Sequence, residues 1–210
     1  MEPALPDLPP RTPPDFALDA PDDAAFAALG ERIAAYLYAN FPGLRGLRQH
    51  RPHFDPARDR TTDPVEHTIE VLGNLDTRGL APADAAILRA AAVFHDVGKL
   101  RDPLNVRHAV DSAALCPPYL DDFPLTPAGR ADAVRVVVSH DVLGRLAQGR
   151  LSVAEACALF GTRRLADLTA RLTWADVTSI RGLGHVLPSI AAARAAVFAA
   201  FDTGVAGAGA

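Results

Sequence analysis

The chain is short of cysteine, of net positive charge and of long apolar runs, and each shortage removes a class of explanation. Its two cysteines, Cys116 and Cys157, lie far apart and form no Cys-x-x-Cys spacing. That pattern argues against thiolate metal ligation and fits a reducing, cytoplasmic compartment. Net charge is −4, so no global basic field exists to grip a nucleic-acid backbone, although a local basic patch for a small anion is compatible with it. No basic stretch followed by an apolar one opens the sequence, and no apolar run approaches the roughly 18 residues expected of a membrane span. Neither a secretory leader nor a membrane partner is therefore expected.

Proline is the first feature present in excess. Seven prolines fall within residues 1–21. Such a segment cannot hold a helix and is extended, either disordered or laid along the surface. From Pro21 onward the pattern is helical. Ala25, Phe26, Leu29, Ile33, Tyr36 and Leu37 recur at spacings of three and four, which predicts one amphipathic helix near 22–40, stopped by Pro42-Gly43. Asp63-Pro64-Val65-Glu66 combines an N-cap carboxylate, a proline at the first helical position and a glutamate at the third, and so opens a second helix. Pro82 opens a third, and a shorter one surrounds His108 and ends before Pro117-Pro118. Thr126-Pro127 starts a helix through the valines 136–138 to His140, preferred over a strand because of its proline start and the later Gly144 or Gly149. Ser152 with Glu155 is another capping box, Thr162 begins a helix reaching Asp176, and 189–202 forms a final one. The expected fold class is all-α, with roughly seven to nine helices. A proline-rich extension (1–21), a single helical domain (22–203) and a flexible tail (204–210) make up the expected organisation.

The chemistry concentrates at His95-Asp96, where an alanine-rich apolar helix ends in an adjacent imidazole and carboxylate, with Gly98-Lys99 following. Buried polar groups need partners and a buried carboxylate needs a counter-charge. A divalent cation would satisfy both side chains at once, with further ligands from His67, His108, His140 and Asp176 on separate helices converging on a bundle core. Imidazoles and carboxylates suit Mn, Fe, Co, Ni or Zn, whereas Mg wants more oxygen. One or two ions are possible. Asp96 and Lys99 are the candidate catalytic groups, and Arg51, Arg101, Arg107, Arg145 and Arg181 are candidate contacts for an anionic substrate, which a guanidinium fork can grip. Taken singly, His67 and Asp176 would be ordinary core or surface polar residues, Asp141 a solvated neighbour, Trp174 a core anchor, and His185 exposed. Glu66 is accounted for by its capping box. His50 and His53 could line a pocket rim.

The string Val65-Glu66-His67-Thr68-Ile69-Glu70-Val71, then Phe94-His95-Asp96-Val97-Gly98-Lys99, then Trp174-Ala175-Asp176 resembles the HD-domain metal phosphohydrolase superfamily. The likeness covers about residues 50–181. Arg107-His108 and Ser139-His140-Asp141 look like the two further histidines of relatives that hold two metals, in which the doublet aspartate bridges the ions. Residues 52–75 are also similar to the HD region of tRNA nucleotidyltransferases, without the polymerase half. The Gly-Tyr-Pro string of cyclic-di-GMP phosphodiesterases is missing. This resemblance implies an HD-like helical bundle with a core metal site. It also implies a phosphodiesterase or phosphomonoesterase acting on a nucleotide or other small phosphate ester, with Asp96 orienting a metal-activated water or bridging the ions, Lys99 neutralising phosphate charge or protonating a leaving oxygen, and the arginines contacting phosphate. Two alternatives stand beside it: a di-iron oxygenase on the same scaffold, and a non-catalytic metal- or nucleotide-binding sensor. Substrate choice and oligomeric state have no sequence signature.

Overall fold

The structure, a computed structural model, describes residues 9–47, 63–100, 107–180 and 182–204. His50, Arg51, His53, Arg101, Arg181 and the tail beyond 204 lie outside the described residues. Those described form an all-α bundle of ten helices with no strand among them. In chain order these are α1 (Asp23–Ala27), α2 (Gly30–Asn40), α3 (Pro64–Gly73), α4 (Pro82–Phe94), α5 (His108–Leu115), α6 (Pro127–Ser139), α7 (Val142–Ala147), α8 (Val153–Phe160), α9 (Arg163–Ser179) and α10 (Leu187–Asp202). Short 3-10 turns, including Val97–Leu100, join several of them.

Local chemistry sets the starts. Asp63 accepts from Val65 N at 2.7 Å while Glu66 accepts from Asp63 N at 3.3 Å, so the capping box engages Glu66 as expected. Ser152 and Glu155 form the same box at α8, Thr126 caps α6 by accepting from Gly129 N alone, and proline occupies the first position of α3, α4 and α6. The single helix expected over 22–40 is instead two. The break falls at Ala28-Leu29, and Gly30 then runs so close to α3 that a Cβ there would sit 2.9 Å from Ile69 Cγ2. The close approach to α3 sets the direction of α2, a tertiary constraint that periodicity does not carry. The valine run is helical, ending at Ser139, and α7 follows as a separate helix.

α4 is the central element. Every residue from Ile87 to Phe94 is buried, apolar except Arg89, which pairs with Asp23 at 3.0 Å. It packs against α3, α6 and α9. At its end the Phe94 ring meets Tyr36, Phe41, Tyr119 and Phe123 with centroids 5.7–6.5 Å apart, which anchors the residue just before the His-Asp pair. A second apolar cluster joins α7, α8 and α10 through Leu143, Phe160, Ile190 and Val197. α9 serves both clusters, turning Leu165, Leu168 and Leu172 to the first and Ala166 and Ala170 to the second. The stretch Leu183–Asp202 is the one segment among the described residues apolar and long enough to cross a membrane by length and composition. That departs from the expectation of no such run, because its alanines raise the average without any block of large apolar side chains. Trp174 corrects another expectation. It is 44% exposed on α9 beside α10 rather than a core anchor.

The proline-rich arm is laid on the body over its described part. Asn40, fully buried, accepts from Thr12 N at 2.7 Å and donates to Thr12 O at 2.8 Å. Arg11 pairs with Asp122, which also accepts from Tyr36 at 2.7 Å, and Arg89 donates to Ala20 O. Asn40→Ala leaves the Thr12 backbone polar groups without their partner. We expect a loss of about 1–3 kcal/mol and faster cleavage of the arm in limited proteolysis; an unchanged melting temperature and cleavage rate would remove Asn40 as the clamp.

Candidate metal centre

The six ligand candidates come from five helix ends. His67 sits in the first turn of α3, His95 is the C-cap of α4 with Asp96 next, His108 opens α5, His140 is the C-cap of α6, and Asp176 lies in the last turn of α9. Three C-terminal helix ends, with partial negative charge, and two N-terminal ends, with partial positive charge, meet in one region, so the helix dipoles largely offset and the side chains set its electrostatics. His67, His95, Asp96 and His140 are buried; Asp176 and His108 are partly so.

The polar atoms meet around the Asp96 carboxylate. Its Oδ2 lies 3.6 Å from His67 Nε2 and 3.5 Å from His95 Nε2. Its Oδ1 lies 3.5 Å from His108 Nε2 and 3.9 Å from His140 Nε2. Asp176 Oδ1 is 2.8 Å from His67 Nε2, and the Nε2 atoms of His108 and His140 are 3.0 Å apart. Two ligand atoms on one cation at about 2.1 Å each stand about 3.0–3.4 Å apart for angles of 90–109°. The observed spacings bracket that range. They also divide into two groups, His67 with His95 and Asp96, and Asp96 with His108 and His140, each able to hold a metal ion.

Proton placement sharpens the point. His95 Nδ1 lies 2.8 Å from Ala92 O and His140 Nδ1 lies 2.8 Å from Val137 O. A carbonyl only accepts, so both Nδ1 atoms carry the proton and donate to carbonyls left over at the helix C-termini. Their Nε2 atoms consequently present lone pairs to the cluster. His95 Nε2 is buried with no hydrogen-bond partner. Burial pushes the His95 imidazole down to about 4, against the opposing pull of Asp96, so the ring is neutral at pH 7. Burial would raise both aspartates, but Lys99 and the surrounding imidazoles hold Asp96 well below the usual carboxylate range. His67 does the same for Asp176 through its hydrogen bond and charge. The lone pairs of His95 and His140 Nε2 and the ionised oxygens of Asp96 and Asp176 thus face one region, a donor set for a cation. The donor set fits a borderline transition metal.

The metal-free protein should weaken in acid. His95 has a lowered folded value, so the unfolded chain binds its proton first, and stability falls as pH drops from about 6.5 to about 4. Asp96 and Asp176, also lowered, add a further loss as pH falls below the unfolded carboxylate range. Chelator-treated protein should melt lower at pH 5 than at pH 7, and an equal melting temperature would contradict the burial assigned to His95.

Lys99 forms an ion pair with Asp96 Oδ2 from the 3-10 turn, so it points into the cluster. It is the only lysine in the chain, every other basic residue being arginine. Its compact ammonium is the smaller of the two basic head groups for a place beside a buried carboxylate. Arg107 is exposed immediately before His108, and Arg145 is exposed with its guanidinium 3.9 Å from Asp141. Asp141, partly buried at the residue before α7 and making no capping hydrogen bond, is not among the converging atoms. His185 is exposed on a separate turn. Three supporting residues carried no sequence signal: Ser112, whose hydroxyl accepts from Gly98 N at 2.8 Å; Thr173, which donates to His140 O at 2.8 Å; and Ser179, 3.1 Å from His67 Nδ1.

Comparison with known proteins gives no family model, no curated protein and no solved structure that matches this chain.

Proposed function

We propose that the chain is a metal-dependent phosphoric-ester hydrolase, acting as a phosphodiesterase or phosphomonoesterase on a nucleotide or another small phosphate ester. The observation that carries this reading is the convergence of four imidazole Nε2 atoms on the two oxygens of one buried carboxylate. The ordered resemblance of His67, His95-Asp96 and Asp176 to HD-domain phosphohydrolases supports it, and the choice of a nucleotide rests on that resemblance. Four imidazoles and two carboxylates favour Mn, Fe, Co, Ni or Zn over Mg, in one or two positions.

A bound divalent cation supplies a water acidic enough to ionise near neutral pH and positive charge beside a phosphoryl oxygen. The chain's own residues do the rest. Asp96 offers one oxygen to each histidine group and so ties the two positions together. His95 and His140, locked by their backbone carbonyls, need no rotation or proton loss to ligate. Lys99 holds an ammonium at the edge of the cluster, where it offsets phosphate charge or gives a proton to the leaving oxygen. Arg107, exposed beside His108, is the nearest guanidinium in sequence for an outer phosphate oxygen. A reducing, cytoplasmic setting suits ferrous or manganous loading, and both cysteines are free thiols.

The test is hydrolysis by the full chain, stripped with chelator and reloaded separately with Mn, Fe, Co and Ni. Substrates are p-nitrophenyl phosphate, its bis-ester, cyclic nucleotides and nucleoside monophosphates. Metal-dependent release of alcohol or phosphate is expected. No hydrolysis with any metal, or oxygen consumption in its place, overturns the assignment.

A further inference from the structure

We infer that Ser179 is a positioning residue that holds His67 in the tautomer able to ligate, an inference that rests on the reading of this cluster as a metal centre. Ser179 ends α9, and its Oγ lies 2.6 Å from the Asp176 carbonyl oxygen and 3.1 Å from His67 Nδ1. A serine hydroxyl has one proton. The carbonyl has none, so the hydroxyl donates to it and accepts from His67 Nδ1–H. The proton on Nδ1 reserves Nε2 as the nitrogen that meets the cluster, in the 2.8 Å hydrogen bond with Asp176 Oδ1 that a cation would replace, and 3.6 Å from Asp96 Oδ2.

The competing arrangement shows why this matters. With Nδ1 bare and the ring's one proton on Nε2, His67 is tied into its hydrogen bond to Asp176 Oδ1, and a cation could take Nε2 only if that proton moved to an Nδ1 with nothing to accept from it. His95 and His140 are guarded against it by backbone carbonyls of their own helices three residues earlier. His67 lies in the first turn of α3, where backbone carbonyls of the preceding turn do not stand free to accept from its ring. A hydroxyl from α9 takes that place, and it comes from the helix that also carries Asp176. Ser179 thus couples the placement of one ligand to the tautomer of the other.

The experiment compares Ser179→Ala and Ser179→Thr with the parent chain in two measurements. Two-bond nitrogen–proton NMR of the metal-free protein reports the His67 ring tautomer directly. Titration with Co(II), followed by its visible absorption, reports affinity and ligand geometry. The parent and S179T should show a proton on Nδ1. S179A should shift toward Nε2–H, bind Co(II) about 10–100-fold more weakly and show an altered absorption band, while melting within a few degrees of the parent. Parent-like ring shifts and affinity in S179A overturn the inference. If the parent itself takes up no metal, the metal centre fails, and the ring shifts alone still decide what Ser179 does.

Discussion

Asp96→Asn should leave a folded protein that retains little metal and hydrolyses phosphate esters at least about a thousandfold more slowly. A metal's stabilisation of the transition state is worth several kcal/mol, and about 4 kcal/mol corresponds to a thousandfold in rate. Among the described residues Asp96 is the one side chain shared by both histidine groups, so both metal positions fail together. The amide keeps the volume and one acceptor but loses the charge that opposes Lys99. Asp96→Ala goes further. It removes the Asp96 side of the Lys99 ion pair and the carboxylate that faces the buried imidazoles, a loss of about 3–5 kcal/mol for a broken buried pair. Metal content by elemental analysis, turnover and a thermal melt separate the two effects. An asparagine variant with the parent's metal content and rate would discard the bridging role of Asp96.

Gly98→Ala should remove the His108–His140 half of the centre while sparing the other. A Cβ on Gly98 would run into the His108 carbonyl oxygen, lie 2.5 Å from Ser112 N and 2.9 Å from the Asp111 carbonyl carbon. All three are backbone atoms of α5, so no side chain can swing aside. The helix must retreat, breaking the Gly98 N to Ser112 Oγ hydrogen bond and carrying His108 away from Asp96. Overpacking of this kind costs about 1–3 kcal/mol, and a displacement near 1 Å can cost about a hundredfold in rate. His67, His95 and Asp176 reside on α3, α4 and α9 and keep their geometry. The expected result is a melting point several degrees lower, about one metal fewer per chain in a protein that holds two, and a rate reduced about a hundredfold. His108→Ala should reproduce the metal and rate losses with a smaller thermal shift. Parent-like stoichiometry in both variants would contradict the division of the cluster into two groups.

Much of this was legible from residue order because the signals are local. Asp63-Pro64 and Ser152 with Glu155 announce helix starts through chemistry confined to four residues, and the structure uses them as read. The ligand candidates were legible for a related reason. A buried His-Asp doublet at the end of an apolar helix demands a partner, and the other histidines and Asp176 answer it in sequence order. The break between α1 and α2 was not legible, since it depends on Ile69 crossing at Gly30. Trp174 was misread although the geometry was available: two residues before Asp176 on a helix is about 200° round the axis, so the two side chains face opposite sides. Gly98 and Ser179 stayed hidden because glycine and serine acquire a role only from what stands next to them in space. The solitary lysine of an otherwise arginine-only chain was a signal in plain composition.

The measurement that bears most directly on the whole account is anomalous diffraction at the metal absorption edge from crystals of the manganese- or cobalt-loaded protein. The account predicts a peak bonded to Asp96 Oδ2 and His95 Nε2 with His67 and Asp176 completing it, and in a doubly loaded chain a second peak on Oδ1 with His108 and His140. Loaded crystals with no anomalous density between these side chains would contradict it.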